Sequence, residues 1–197
     1  MKIIGGLYKG RMFKMPKGIR PTQDVLRKSL FDILREVITD STFLDLFAGS
    51  GAVGLEAFSR GAKGVVLVEK NQVCAKMIKD NAWSIKGGAK TPFLKFKVLA
   101  QDVFLSIPFL YHNKESFDII FLDPPYYSGE KLKSVSQTVL LAKKTLQTLG
   151  GYDILSPNGL IICQHSRREV LPEKIENLIL FKQKRDGDTV LSFYRRP

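Results

Sequence analysis

Short apolar runs recur along the chain, separated by stretches that have the 3.6-residue spacing of amphipathic helices. The runs that predict strands lie at 43–46, 65–68, 93–99, 117–122, 160–164, 178–182 and 190–195. Helical patterns lie at 22–38, 55–58, 71–86 and 131–149, and 103–116 predicts a loop or a short helix. This alternation favours an α/β fold with a mostly parallel, seven-stranded sheet that closes with an antiparallel pair.

The first twenty residues have a different pattern. Two apolar patches, at 3–4 and 12–13, flank a glycine-containing turn and are predicted to pair as a small hairpin with basic flanks. We therefore expect residues 1–20 to form a basic N-terminal hairpin appendage and residues 21–197 to form the main domain.

The composition excludes several kinds of chemistry. Only two cysteines and two histidines occur in 197 residues, and their spacing is not that of a metal site or a Ser–His–Asp triad. No apolar run is long enough for a membrane span, and the N-terminus does not resemble a signal peptide. We expect a cytoplasmic, monomeric protein that binds no metal and no membrane.

The charge is strongly positive and unevenly distributed. Lys and Arg number 31 against 19 Asp and Glu, a formal net charge of +12. Residues 1–35 carry nine basic and two acidic side chains. A basic pole of this kind indicates a polyanionic partner such as nucleic acid, although a solvated basic surface is the simpler alternative.

A glycine-rich loop follows the first predicted strand and opens a helix. Gly49, Gly51 and Gly54 let backbone N–H groups approach a ligand at the helix N-terminus, as in nucleotide-binding α/β sheets. Glu69 closes the next strand, twenty residues after Gly49, where a carboxylate can bind both hydroxyls of a ribose. The loop predicts a nucleoside cofactor and by itself leaves NAD possible.

Two acidic positions help to indicate which nucleoside cofactor the loop binds. Asp45 lies inside the first strand, where it would repel a pyrophosphate but accept from a cationic amine; the alternative is a carboxylate that braces the loop. The tetrapeptide at 123–126, Asp-Pro-Pro-Tyr, follows the buried strand 117–122 and is predicted to face the same pocket. The Asp123 carboxylate and the Pro124 carbonyl can both accept from one exocyclic amine, and Tyr126 offers a flat face to a base. The alternative is a rigid turn with a core tyrosine.

The tetrapeptide together with the glycine loop resembles the amino-group methyltransferases that use S-adenosylmethionine. The chain is more closely similar to one family, the bacterial 16S rRNA guanine-N2 methyltransferases. The matching segments are 3–6, 10–11, 20–22, Arg27, 44–54, Glu69 and 123–126. Lys28 and Gln164 depart from this pattern, because we expect the family to favour Glu at both positions.

The resemblance implies a Rossmann-like class I methyltransferase that transfers a methyl group to the exocyclic N2 amine of a guanine. The implied catalytic residues are Asp123, Pro124 and Tyr126. The implied cofactor-binding residues are Asp45, Phe47, Gly49, Ser50, Gly51, Glu69, Lys70, Gln101 and Asp102, of which Asp102 would meet the adenine amine or else cap a helix. The implied RNA-binding residues are Lys9, Arg11, Lys14, Arg20 and Arg27. The partner is then 16S rRNA or the assembling small ribosomal subunit.

Three other functions remain open at this point. A DNA adenine or cytosine amino-methyltransferase shares the tetrapeptide, but only 71 residues follow Tyr126, which leaves little room for a target-recognition segment. An NAD-dependent oxidoreductase would leave residues 123–126 without a role. The third alternative is a non-catalytic RNA-binding module.

Overall fold

The computed structural model of the chain describes residues 1–15, 24–85, 96–125 and 136–197, with the backbone alone for 136–140. The predictions made for Arg20, for Tyr126 and for a boundary between residues 20 and 21 lie outside these described residues.

The described residues form an α/β protein with one mixed sheet. In chain order the elements are α1 (Asp24–Ile33), β1 (Thr42–Asp45), α2 (Ala52–Ser59), β2 (Gly64–Val68), α3 (Gln72–Ile85), β3 (Phe96–Leu99), α4 (Val103–His112), β4 (Phe117–Leu122), α5 (Ser136–Gly151), β5 (Leu155–Ser166), β6 (Lys174–Ile175), β7 (Leu178–Asp186) and β8 (Thr189–Arg195). Eight strands are described, in the order β3-β2-β1 within residues 1–102 and β4-β5-β8-β7-β6 within residues 103–197. The prediction of seven strands was wrong, because a two-residue strand such as β6 is too short to show an alternating pattern.

The chain divides into two compact units, Met1–Asp102 and Val103–Pro197. In the first unit β1, β2 and β3 are parallel, with Leu44 paired to Val66 and Val66 paired to Lys97. All five residues of β2 are buried. A strand covered on both faces needs a continuous apolar run, which explains why this region is apolar without alternation.

The second unit contains the antiparallel part of the sheet. β4 and β5 are parallel, whereas β5 with β8, β8 with β7 and β7 with β6 are antiparallel. The closing antiparallel pair predicted from the sequence thus corresponds to β7 and β8. The turn expected at 154–159 is instead an irregular start of β5, where the register shifts from Phe117–Leu155 to Ile119–Leu160.

The N-terminal segment pairs with itself through a single antiparallel bridge between Lys2 and Met12. Its apolar residues Ile3 and Phe13 are buried in one cluster with residues of α2 and α3: Ala52, Leu55, Ala82 and Ile85. The segment also meets the end of α2 at Gly6, whose φ is +76° and where a Cβ would lie 1.9 Å from the Ser59 carbonyl oxygen. Residues 1–15 therefore pack onto the first unit and contribute Ile3 and Phe13 to its core.

A buried charge cluster connects this segment to α1 and α2. Arg27 and Glu56 are both fully buried, and Arg27 Nε lies 3.7 Å from Glu56 Oε2. The guanidinium also donates to the Lys2 carbonyl at 2.8 Å and to Asp24 at 3.0 Å. Glu56 in turn accepts from the Ile4 N–H at 2.9 Å and from Arg60 Nε at 2.7 Å. Each charge is thus compensated, as a buried ion requires.

We expect Glu56→Ala to lower the free energy of unfolding by about 3–5 kcal/mol, because it leaves the buried Arg27 guanidinium without its main counter-charge. Denaturant unfolding measures the effect. The exposed Glu36 provides a matched control, and Glu36→Ala is expected to change the free energy of unfolding by no more than ~0.5 kcal/mol. Equal effects of the two substitutions would contradict a structural role of the cluster.

Candidate active site

The loop between β1 and α2 has the conformation expected for a backbone cradle. Gly49 and Gly51 have φ values of +53° and +77°, which glycine adopts without strain. Gly51 is the N-cap of α2, and a Cβ there would lie 2.9 Å from Ile78 Cγ1. The Ala48 N–H donates to the Val68 carbonyl at 2.9 Å and so ties the loop to the end of β2.

Glu69, at the end of β2, fixes this loop from the other side. One carboxylate oxygen accepts the N–H of Gly49 at 2.8 Å, and the other accepts the N–H of Asn71 at 2.8 Å. The Asn71 side chain then accepts the N–H groups of Val73 and Cys74 at the start of α3. Because each carboxylate oxygen has two lone pairs, Glu69 retains capacity to accept ribose hydroxyls.

Asp45 is buried beneath the loop and is only 1 % exposed. Its carboxylate accepts the N–H of Phe47 at 3.4 Å and a backbone N–H of Gly54. Burial raises the pKa of Asp45, the two backbone hydrogen bonds lower it and the negative charge of Glu69 raises it, so that the net value is about 7. These contacts match the alternative in which Asp45 braces the loop, and its contact with a cofactor amine stays a prediction.

The remaining predicted cofactor residues follow the same three strands. Lys70 is exposed directly after Glu69, Ser50 is buried and Phe47 is half-buried in the loop. Gln101 and Asp102 come after β3, and Asp102 directly precedes α4, as an N-cap residue would. The Nε2 atom of Gln101 is buried and has no hydrogen-bond partner among the described residues. The first unit thus collects these side chains at the carboxyl ends of β1, β2 and β3.

The second unit contains Asp123 and Pro124 directly after β4. Asp123 is half-buried and Pro124 is buried. Gln164, on the neighbouring strand β5, donates from Nε2 to Asp123 Oδ2 at 2.9 Å. Burial raises the pKa of the adjacent Cys163 thiol well above its ordinary value, and the negative charges of Asp123 and Glu169 raise it further. A neutral thiol is therefore expected beside the carboxylate.

Because the glycine loop and Asp123 belong to different units, their opening onto one shared cavity stays a prediction. Sequence reasoning marked Gln164 only as a departure from the family pattern and missed its contact with Asp123. An amide at the position where the family is expected to place a carboxylate was the available signal.

The predicted RNA-binding residues are not equivalent in the structure. Lys9 and Lys14 are exposed. The Arg11 guanidinium lies 5.4 Å from the centre of the Tyr8 ring and donates to the Ile85 carbonyl. Arg27 is fully buried in the charge cluster described above, so the prediction that it contacts phosphates is corrected. The physical reason is that the buried Glu56 carboxylate provides a counter-charge for this cation inside the unit.

Comparisons with known proteins show the family to which the chain belongs. The first unit has the glycine loop and strand-end carboxylate of a Rossmann-like α/β protein. A family model described as "Conserved hypothetical protein 95" matches residues 1–195, and the chain belongs to that family. A relative from Escherichia coli K12, named Ribosomal RNA small subunit methyltransferase D, is 32% identical over 198 residues, which cover 100% of this chain and 90% of the relative.

Solved structures show the same fold. The hypothetical protein TTHA0928 of Thermus thermophilus has a TM-score of 0.75 and 32% identity, covering 98% of both chains. The structure of SMU.776 complexed with SAH has a TM-score of 0.64 and covers 90% of this chain and 50% of that one. At 19% identity the latter likeness concerns the fold alone.

We expect Asp45→Asn to change the pH dependence of stability. The folded-state pKa of about 7 lies above the ordinary value of 3.8, so the folded protein holds a proton that the unfolded chain loses between these pH values. Stability conferred by Asp45 is therefore present below pH ~4 and lost by pH ~7, a change of about 4 kcal/mol at most.

Asparagine has the shape of the protonated acid, so Asp45→Asn is expected to remove this loss and to be more stable than the wild type at pH 8. Denaturant unfolding between pH 4 and pH 8 measures the difference. Asp32→Asn on the exposed side of α1 is the control. Parallel stability curves for the wild type and Asp45→Asn would show that burial does not raise the pKa of the Asp45 carboxyl.

Proposed function

We propose that this protein transfers a methyl group from S-adenosylmethionine to the exocyclic N2 amine of a guanine in 16S rRNA. Membership of a family with relatives named as rRNA methyltransferases supports the rRNA substrate class. The observation that carries the amine target is the placement of Asp123 and Pro124 directly after a buried strand, where two acceptors are held on a rigid backbone.

The residues of the first unit fit the cofactor. Gly49 and Gly51 provide the backbone of a cradle at the start of α2, and Glu69 holds that cradle while its oxygens keep lone pairs for ribose hydroxyls. The buried Nε2 of Gln101, which has no partner within the described part of the chain, is a donor that suits a ring nitrogen of adenine. When bound, S-adenosylmethionine supplies a methyl carbon activated by a positively charged sulfur.

Asp123 and Pro124 act on the nucleophile. The lone pair of the guanine N2 amine is delocalised into the ring, which makes this nitrogen a weak nucleophile. When the Asp123 carboxylate and the Pro124 carbonyl accept hydrogen bonds from its two N–H groups, the nitrogen becomes more pyramidal and its lone pair more available. Formation of the nitrogen–methyl bond would break the sulfur–methyl bond, release the sulfur as a neutral thioether and leave the nitrogen positively charged. The Asp123 carboxylate would stabilise that charge until the nitrogen loses one proton to solvent. Fixed orientation of the amine lowers the barrier further.

RNA binding requires cations that are exposed and uncommitted. Lys9 and Lys14 meet this condition in the N-terminal segment, and Arg11 adds a positive charge beside them. The target base must leave its stack or lie in a loop to reach Asp123, since its amine is otherwise paired. The RNA-binding surface that we propose therefore centres on Lys9 and Lys14.

Mass mapping of rRNA tests the proposed function. In cells that lack the gene we expect one N2-methylguanine of 16S rRNA to be missing and to return when the wild-type gene is supplied. The Asp123→Ala variant is expected to bind S-adenosylmethionine normally in calorimetry but not to restore the modification. Asp153→Ala, at an exposed aspartate of the same unit, is the control and should restore it. An unchanged set of N2-methylguanines in the deletion strain would overturn the proposal.

Charge reversal tests the RNA-binding surface. The double variant Lys9→Glu and Lys14→Glu is expected to weaken rRNA binding and to lower the slope of log K against log salt by about 1 for each lost phosphate contact. Filter binding at several salt concentrations measures both quantities. The exposed Lys63 and Lys114 provide a control double variant of equal charge change. The same loss of affinity in both variants would indicate only a general effect of net charge.

A further inference from the structure

The side chain of Gln164 is committed to Asp123 and is almost completely buried. Its Nε2 atom donates to Asp123 Oδ2 at 2.9 Å, and the residue is 6 % exposed. We propose that Gln164 is a positioning residue that fixes the orientation of the Asp123 carboxylate for the incoming amine. This inference rests on the proposed function and deepens it.

The chemistry of the two groups determines which way the amide points. An ionised carboxylate only accepts hydrogen bonds, so the amide nitrogen and not the amide oxygen must face it. The bond runs from a neutral donor to a charged acceptor, which makes it one of the stronger kinds of hydrogen bond. It therefore restrains Oδ2 and, through the planar carboxylate, also the direction of Oδ1.

The environment of the Gln164 amide oxygen indicates that this residue does not only stabilise the fold. Gln164 Oε1 is buried and has no hydrogen-bond partner among the described residues. A buried amide oxygen without a partner destabilises the folded state. A leucine of similar size would avoid that penalty but would lose the hydrogen bond to Asp123, so the two effects on stability oppose each other.

The family pattern leads us to expect glutamate at position 164, and glutamate would hold Asp123 differently from glutamine. Glutamate at position 164 donates to Asp123 only while it is protonated, and an ionised glutamate would repel the carboxylate. Glutamine donates at every pH. The ionisable and charged groups around Gln164 in the described part of the chain are Asp123 after β4, Cys163 and His165 beside it in β5, Glu169, and Lys184, which lies in register with Gln164 across Leu191.

Three variants separate positioning from structural support. Gln164→Leu removes the donor, and Gln164→Glu makes donation depend on pH. Gln183→Leu is the control for the loss of a glutamine hydrogen bond, since the exposed Gln183 donates from Nε2 to the neutral Ser192 hydroxyl at 2.9 Å and not to a carboxylate. For each variant, methylation kinetics on 16S rRNA, the calorimetric Kd for S-adenosylmethionine and the Tm are measured.

For Gln164→Leu we expect kcat to fall about 10- to 100-fold, the usual cost of misplacing a reacting group. The Kd for S-adenosylmethionine and the KM for RNA should stay within twofold, and the Tm should change little, because the lost hydrogen bond to Asp123 and the removal of the unsatisfied Oε1 oppose each other. For Gln164→Glu the ratio of its kcat to that of the wild type should fall as pH rises and recover as pH is lowered. Gln183→Leu should keep wild-type kcat.

Two results would overturn the positioning role while leaving the proposed function intact. One is wild-type kcat in Gln164→Leu. The other is a loss of kcat that is accompanied by a lower Tm or weaker cofactor binding, which would show structural damage. A wild-type protein that transfers no methyl group to rRNA would instead overturn the proposed function and the positioning role together.

Discussion

The two hydrogen bonds that the Glu69 carboxylate accepts determine the conformation of the glycine loop in the first unit. The carboxylate joins the end of β2 to the N–H of Gly49 in the preceding loop and to the N–H of Asn71 ahead of α3. A loop with two glycines at positive φ has few restraints of its own, so an anchor from the neighbouring strand limits its conformations. Without this anchor the backbone N–H groups would not be held in one orientation for a ligand.

Buried ion pairs in the first unit also reduce the number of cations that are available to bind a polyanion. Arg27 and Arg60 both form ion pairs with Glu56. The same cluster forms hydrogen bonds with the backbone of Lys2 and Ile4. Part of the basic excess in the N-terminal region therefore compensates a buried carboxylate. The positive charge that remains exposed is smaller than the sequence total indicates, and it is the charge that a polyanion can contact.

The second unit supports the carboxylate of Asp123, for which we propose a role in the reaction. Asp123 is half-buried after a strand, its neighbour Pro124 restricts the backbone, and Gln164 holds one of its oxygens. Such support from residues that do not touch the substrate is what allows a single carboxylate to act through charge and geometry. The absence of a partner for Gln164 Oε1 among the described atoms shows that this support has a cost in stability.

The sequence by itself determined the α/β class, seven of the eight strands and the glycine loop, because apolar periodicity and glycine chemistry act over a few neighbouring residues. It also singled out Asp45 as an acid inside a predicted strand, and Glu69 and Asp123 as acids that follow predicted strands. Only the tertiary structure decided that Arg27 points inwards to Glu56, that Asp45 braces the loop, that β6 completes the sheet and that Gln164 meets Asp123. Those facts depend on contacts between residues distant in the chain, and burial and hydrogen bonding across such distances leave no local pattern.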